Sequence, residues 1–188
     1  MHSHEIETGR SRRWQLSLVG VAILAMATAQ AGAATFGQPA SAAEIAAVDI
    51  DVKPDGSGLP AGSGNAVVGE RIYAVQCAAC HGATGVEGPR DRLVGGFGSL
   101  ATAHPVKTVG SYWQYAPTLY DYINRAMPFT APGTLSPDEV YSLSAFLLKQ
   151  NGLIGDSDVM DRTTLPAVKM PNRDGFIVEP EFARVIRR

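Results

Sequence analysis

Apolar positions in this chain fall into blocks separated by turn-forming residues. Leu16 to about Ala29 is nearly unbroken apolar sequence. Further on, Gly69, Tyr73 and Cys77 recur at i, i+4 and i+8, so they share one face of a helix expected over Val67–Ala78. A glycine on that face lets a second helix come close, and the tyrosine ring packs across the crossing. A second helix is expected over Thr118–Ala126. Pro117 favours its start, and Met127, placed before Pro128, leaves helical space and sits on a loop. A third begins at Ser136-Pro137-Asp138-Glu139, where Ser136 suits the N-cap, Pro137 the first turn, and Glu139 completes a capping box. Val140, Leu143, Phe146 and Leu147 form its apolar stripe, and Asn151-Gly152 is its stop. The Leu143/Phe146 face is a natural partner for the Gly69/Tyr73 face.

These helices lie within residues 67–152, which read as one domain flanked by two arms. Residues 35–66 are rich in Ala, Pro, Gly and Asp, with turn chemistry at Pro54-Asp55-Gly56 and from Leu59 to Gly64. They read as an extended N-terminal arm. Residues 153–188 are a C-terminal extension with several prolines and no core of their own. Leu165 to Phe176 is apolar enough to lie along the domain, and Glu179 to Arg188 reads as a short helix or a frayed end. Two readings of the arms stand side by side: straps over the domain, or contacts with a partner subunit.

Residues 1–34 read as a signal peptide. Arg10, Arg12 and Arg13 precede the apolar run, and Ala29-Gln30-Ala31-Gly32-Ala33-Ala34 supplies an A-x-A cleavage site after Ala33 or Ala34. The expectation is a periplasmic protein with no membrane span after cleavage. A retained anchor is the competing reading, and the run is short for a span. Residues 35–188 keep 13 basic and 16 acidic side chains, a net charge near −3. With no basic run, this argues against nucleic acid as a partner.

The chemistry concentrates in Cys77-Ala78-Ala79-Cys80-His81, a C-x-x-C-H motif of the kind that attaches haem c covalently. One short turn presents both thiols to a porphyrin edge and aims the adjacent imidazole at the iron. Haem attachment to this motif takes place outside the bacterial inner membrane, in agreement with the signal segment. Other readings fit the cysteine pair less well. A thioredoxin-like pair wants a βαβ context that the surrounding sequence lacks. Structural zinc needs four ligands, and these are the only two cysteines. A plain disulfide leaves His81 unexplained. For the second axial position Met127 is the first candidate, a soft thioether at a helix exit. Met170 and His104 are its competitors. Trp113 and Tyr115 are candidates to hydrogen-bond a haem propionate, or are ordinary core aromatics. Arg125 either pairs with a propionate or is a solvated helix charge. Phe129 and Ala78-Ala79 are expected near the exposed haem edge, in a small docking patch.

Gly69, Tyr73, Cys77 to Gly82, Gly88-Pro89, Met127-Pro128, Leu143 and Phe146 together resemble the motif set of class I cytochromes c. The resemblance covers about Gly69 to Gly152. It implies an all-α fold wrapped around one covalent haem, with Cys77 and Cys80 as attachment points and His81 and Met127 as axial iron ligands. It also implies that the Pro89 carbonyl receives the His81 ring N–H. A narrower resemblance runs through both arms: Glu44 to Asp51, the Leu59–Gly64 turn, Val109 to Trp113, Asp121 to Phe129, and Lys169 to Phe176. These are similar to the monohaem cytochrome subunits of sulfite dehydrogenase and of sulfur-oxidation (sulfane) dehydrogenase complexes. That likeness implies an electron-transfer protein rather than an enzyme. Its expected partners are a molybdenum-cofactor dehydrogenase subunit upstream and another cytochrome or a terminal oxidase downstream. The alternatives are a haem enzyme or gas sensor with a labile sixth ligand, or a carrier for a different periplasmic dehydrogenase.

Overall fold

Asn65 starts the first long helix by accepting the Val68 N–H at 3.0 Å through its side chain. This capping satisfies one of the amides that a helix start leaves unpaired. The structure, a computed structural model, describes residues 37–177. The signal segment read over residues 1–34 and the Glu179–Arg188 stretch lie outside the described residues.

The chain divides after Ile45, with the main unit running from Ala46 onward. At that boundary Ala42–Val48 forms α1. The expectation of a wholly extended N-terminal arm is corrected here, for a local reason. Ser41 and Glu44 make a reciprocal capping pair, Ser41 N–H to Glu44 at 2.8 Å and Glu44 N–H to Ser41 Oγ at 3.2 Å, ahead of an alanine-rich run.

The main unit runs β1 (Ser63–Asn65), α2 (Ala66–Gln76), α3 (Ala78–His81), α4 (Ala116–Ala126), α5 (Pro137–Gln150) and β2 (Val159–Asp161), then a 3₁₀ turn at Leu165–Ala167. The all-α expectation therefore needs one amendment. β1 and β2 form a two-stranded antiparallel sheet with Gly64 opposite Met160. Three-residue strands leave almost no periodic signal, and their pairing spans nearly the whole domain in sequence.

Helix α5 is the centre of the fold. Its capping box is complete, with Ser136 and Glu139 bonded reciprocally. Every residue from Val140 to Leu148 is buried. The sequence stripe accounts for only one side of that burial. The other side is covered by the arms. Tyr141 donates its hydroxyl to the Pro60 carbonyl at 2.9 Å, and Ser63 N–H bonds Asp138 at 2.8 Å. Gly64 lies flat against Ser142, where a Cβ would overlap the helix. Ser142 and Ser144 are buried without cost in unpaired hydroxyls, since each donates to the carbonyl four residues earlier, at 2.7 and 2.8 Å.

On the remaining side α5 crosses α2. Gly69 faces the Ser142 carbonyl and Phe146, and the Tyr73 and Phe146 rings stack with centroids 4.9 Å apart. Both rings are about 2% exposed, and burial of this kind contributes roughly 1.5–3 kcal/mol per large apolar side chain. The C-terminal extension closes the core with Met160, Leu165, Val168 and Met170, all buried. Val52, Leu59 and the Ser63–Asn65 strand from the N-terminal side, and Met160 to Met170 from the C-terminal side, thus lie over the domain.

Two outcomes follow from this packing. Alanine is favoured over glycine in a helix by about 1 kcal/mol, yet at position 69 its methyl would overlap the Ser142 oxygen and stand 2.8 Å from Phe146 Cβ. Overpacking costs about 1–3 kcal/mol, so Gly69→Ala should lower the urea midpoint; a higher midpoint would refute the close crossing. Asp161 accepts the Thr163 hydroxyl and the backbone N–H groups of Thr164 and Thr163, which hold its carboxyl down at about 2. With the folded value below the unfolded one, its contribution is full above about pH 4 and is lost as pH falls toward 2. A carbon-detected NMR titration should place the Asp161 inflection near 2, and an inflection at the ordinary aspartate value of about 4 would refute these bonds.

Candidate functional site

Cys77 ends α2 with φ −123° and ψ −35°, breaking the helix for a single residue. α3 then adds one turn, and Gly82 stops it at φ +82°. The break is held by Cys77 N–H to Tyr73 O at 2.9 Å, and the new turn by His81 N–H to Cys77 O at 3.0 Å. The Tyr73 hydroxyl donates to the Gly82 carbonyl at 2.9 Å, tying the turn's exit back to α2. Cys77 is half-buried and Cys80 exposed, and the two are not joined in a disulfide. Burial, with the Cys80 charge adding to it, pushes the Cys77 thiol up to about 11, so it stays protonated at neutral pH. Burial likewise raises the Tyr73 phenol to about 12 and keeps it a hydrogen-bond donor.

The His81 ring is oriented by a backbone carbonyl, with Nδ1 2.8 Å from Asp91 O. Nδ1 therefore carries the proton and donates it, which leaves the Nε2 lone pair free as a ligand. The expected acceptor was Pro89, two residues earlier. The loop is carried past it because Gly88 is wedged against the Cys80 carbonyl and the His81 backbone, and Arg90 N–H bonds Cys80 O at 2.9 Å. That contact brings Asp91, not Pro89, over the ring.

Cys77, Cys80, His81 and Met127 all line one cavity of about 870 Å³. Met127 is the C-cap of α4, in extended conformation at φ −126° and ψ 148°. Leu119 and Ile123 of α4, Leu143 and Leu147 of α5, and Val109 and Trp113 of the preceding loop supply apolar walls. Met160 and Met170 are buried in the core and His104 is exposed; none of the three lines this cavity. Among the described residues no group of three or more His, Cys, Asp or Glu side chains converges on a metal-ion site.

A family model described as cytochrome c oxidase, cbb3-type, subunit III matches residues 64–147. The crystal structure of the sulfane dehydrogenase SoxCD from Paracoccus pantotrophus contains a chain 43% identical to this one. The match covers 79% of this chain and 73% of that one, with a TM-score of 0.73. The chain belongs to the cytochrome c family. No curated protein sequence matches it.

Membership implies covalently bound haem c, and the residues present fit that group. The cavity lies near the upper end of the about 300–1,000 Å³ typical of cofactor sites. Its lining is mostly apolar, and it offers two thiols on one turn, an imidazole with a free nitrogen and a thioether. Of the aromatics weighed as propionate partners, Trp113 lines the cavity beside Tyr122, the rings edge-to-face at 5.7 Å. Tyr115 does not line it; its ring lies under Arg173 at 4.5 Å. Of the two readings of Arg125, the contacts favour a charge on the helix surface over a propionate partner. Arg125 pairs with Asp121 and, at 3.3 Å, with Asp51, while Asp121 also accepts Val52 N–H at 3.0 Å. The hydrogen bond to Asp121, and to a lesser degree the Asp51 charge, raises the Arg125 pKa. Sequence reasoning missed Arg90, Arg92 and Lys107, the cations that do reach the cavity.

Exchanging the thioether for an imidazole separates Met127 from its competitors. Met127→His should retain the haem and lower the midpoint potential by ~0.1 V, a fraction of the roughly 0.8 V that axial ligation spans. An unchanged potential in a redox titration would remove Met127 from the iron.

Proposed function

We propose that this cytochrome is a periplasmic one-electron carrier, with haem c joined through Cys77 and Cys80 and the iron held between His81 and Met127. The observation that carries this reading is the convergence of those four side chains on one apolar cavity, with Met160 and Met170 sequestered elsewhere in the core. Bound there, the haem supplies a one-electron couple. The protein's own contribution is threefold. The Asp91 carbonyl fixes the His81 tautomer and ring orientation, leaving Nε2 to face the iron. The apolar walls keep water from the cavity and so favour the less charged, reduced state. Met127 would supply the iron's second protein ligand, so that electrons pass while small ligands do not.

Electrons would enter from a molybdenum-dependent sulfite or sulfane-sulfur dehydrogenase subunit and leave to another cytochrome or a terminal oxidase. Support comes from the 43% identity to a chain in a sulfane dehydrogenase, over a match too long to be the haem core alone. No helix among the described residues is long and apolar enough to cross a membrane. The docking patch is read at Phe129 and Ala78-Ala79: Phe129 lines the cavity and is 79% exposed, and Ala79 is exposed beside Cys80. Such electron-transfer contacts are small, below about 1,200 Å².

Anaerobic haem reduction, followed optically with and without a purified candidate molybdenum dehydrogenase and its sulfur substrate, tests the assignment. Reduction that is fast only with the dehydrogenase supports it. A haem that dithionite reduces but the dehydrogenase does not would discard the sulfur assignment. Rapid carbon monoxide or cyanide uptake at neutral pH would instead mark an open sixth position and a haem enzyme or sensor.

A further inference from the structure

The cavity wall formed by Thr108–Tyr115 has no helix or strand to stiffen it. Its Val109, Tyr112 and Trp113 nevertheless face the cavity. On the outer side of this loop lies a short segment of the C-terminal extension. Asn172 donates its side-chain N–H to the Tyr112 carbonyl at 2.7 Å. Gln114 donates its side-chain N–H to the Arg173 carbonyl at 3.0 Å. The Arg173 guanidinium lies over the Tyr115 ring at 4.5 Å, and Phe176 meets Tyr112 edge-on at 5.1 Å. The segment is itself anchored and shaped. Met170 is buried at its start, and Arg173 N–H to Met170 O and Gly175 N–H to Asn172 O, both 3.1 Å, close two turns within it.

Tyr112, Gln114 and Tyr115 of the wall thus meet Asn172, Arg173 and Phe176 of the strap, through both backbone and rings. The Thr108–Ser111 half of this wall is tied by bonds of its own, Val109 N–H to Leu93 O at 3.2 Å and the Thr108 hydroxyl to Gly95 O at 2.5 Å; the Tyr112–Tyr115 half leans on the strap and is the part that can open. We propose that residues 170–176 are a positioning element for the cavity, clamping Tyr112 to Tyr115 so that Tyr112 and Trp113 close it against water. No strap residue itself lines the cavity; the strap acts through Tyr112, which does. This inference rests on the reading that the cavity takes haem. Under that reading its consequence is electrochemical: a loosened wall admits water, water favours the more highly charged oxidised iron, and the potential falls.

The test uses the haem-loaded full chain carrying Asn172→Ala together with Phe176→Ala. Asp158→Ala is the control, because Asp158 bonds Gly155 in the same extension and touches neither wall nor strap. Amide hydrogen exchange of the peptide spanning residues 112–115 and the midpoint potential are the readouts. The strap variant should exchange at least tenfold faster there. Its reduction equilibrium should shift about tenfold toward the oxidised state, about 59 mV for one electron. The control should match the parent in both. Phe176→Leu, which keeps an apolar side chain, should restore most of the exchange protection when Asn172 is intact. Unchanged exchange overturns the clamp. Faster exchange at an unchanged potential also overturns it, since the strap would then be a structural tie only. A parent protein that carries no covalent haem fails the haem reading instead, and exchange in the same variants still decides whether the strap holds the wall.

Discussion

The rest of this structure depends on helix α5 being covered on every side. Nine consecutive buried residues, Val140 to Leu148, have no solvent-facing stripe among them. A helix of that kind needs partners all round, and α2 and α4 alone do not surround it. The arms complete the cover: Pro60 and the Ser63–Asn65 strand on one flank, Met160 and Leu165 from the C-terminal extension. The arms are therefore part of the core that shapes the cavity, because Leu143 and Leu147 of the same helix line its wall. This links a fold requirement to the site without any added device.

The C-x-x-C-H turn shows the same economy at a smaller scale. One non-helical residue, Cys77, separates α2 from α3, and the hydrogen bonds of Tyr73 hold both sides of that break. Tyr73 also packs on Phe146 of α5. The helix crossing, the thiol-bearing turn and the stop at Gly82 thus share one side chain. A change in the crossing angle would move the thiols and the His81 ring together, so the relative placement of the two sulfurs and the imidazole is protected even when the domain is strained.

What could be read from the sequence was local. The Ser136–Glu139 capping box, the Asn151-Gly152 stop and the Met127-Pro128 exit are each decided within four residues, and the structure has all three. The Gly69/Tyr73 face was legible because helical spacing is regular and a glycine among larger residues points to a close crossing. The choice of Met127 over Met170 at the cavity was legible for the same reason, through its proline neighbour. The contacts that sequence reasoning missed are distant. Strand pairing of Gly64 with Met160, Arg125 with Asp51, and Asn172 with the Tyr112 carbonyl join segments that carry no mutual signal. The His81 partner was misplaced by two residues because loop length, set by the packing of Gly88, is not a periodic property.

The distribution of charge follows from this architecture. The chain is weakly acidic overall, yet the cavity is lined by Arg90, Arg92 and Lys107 against the single acid Asp91. Arg92 is not free to swing, since its Nε donates to the Val94 carbonyl at 2.8 Å. Lys107 lies over the Tyr112 ring at 5.0 Å. Two of the three cations are thus placed by contacts within the wall itself, whereas Arg125 is drawn away by the N-terminal arm. Fixed cations beside an apolar cavity oppose a further positive charge inside it, and low dielectric strengthens that opposition. With haem bound there, they would act in the same direction as exclusion of water, favouring reduced iron. The placement of Lys107 depends on Tyr112 staying where the strap holds it. The electrostatics of the cavity and the packing of the C-terminal extension are therefore one problem, joined at a single aromatic residue.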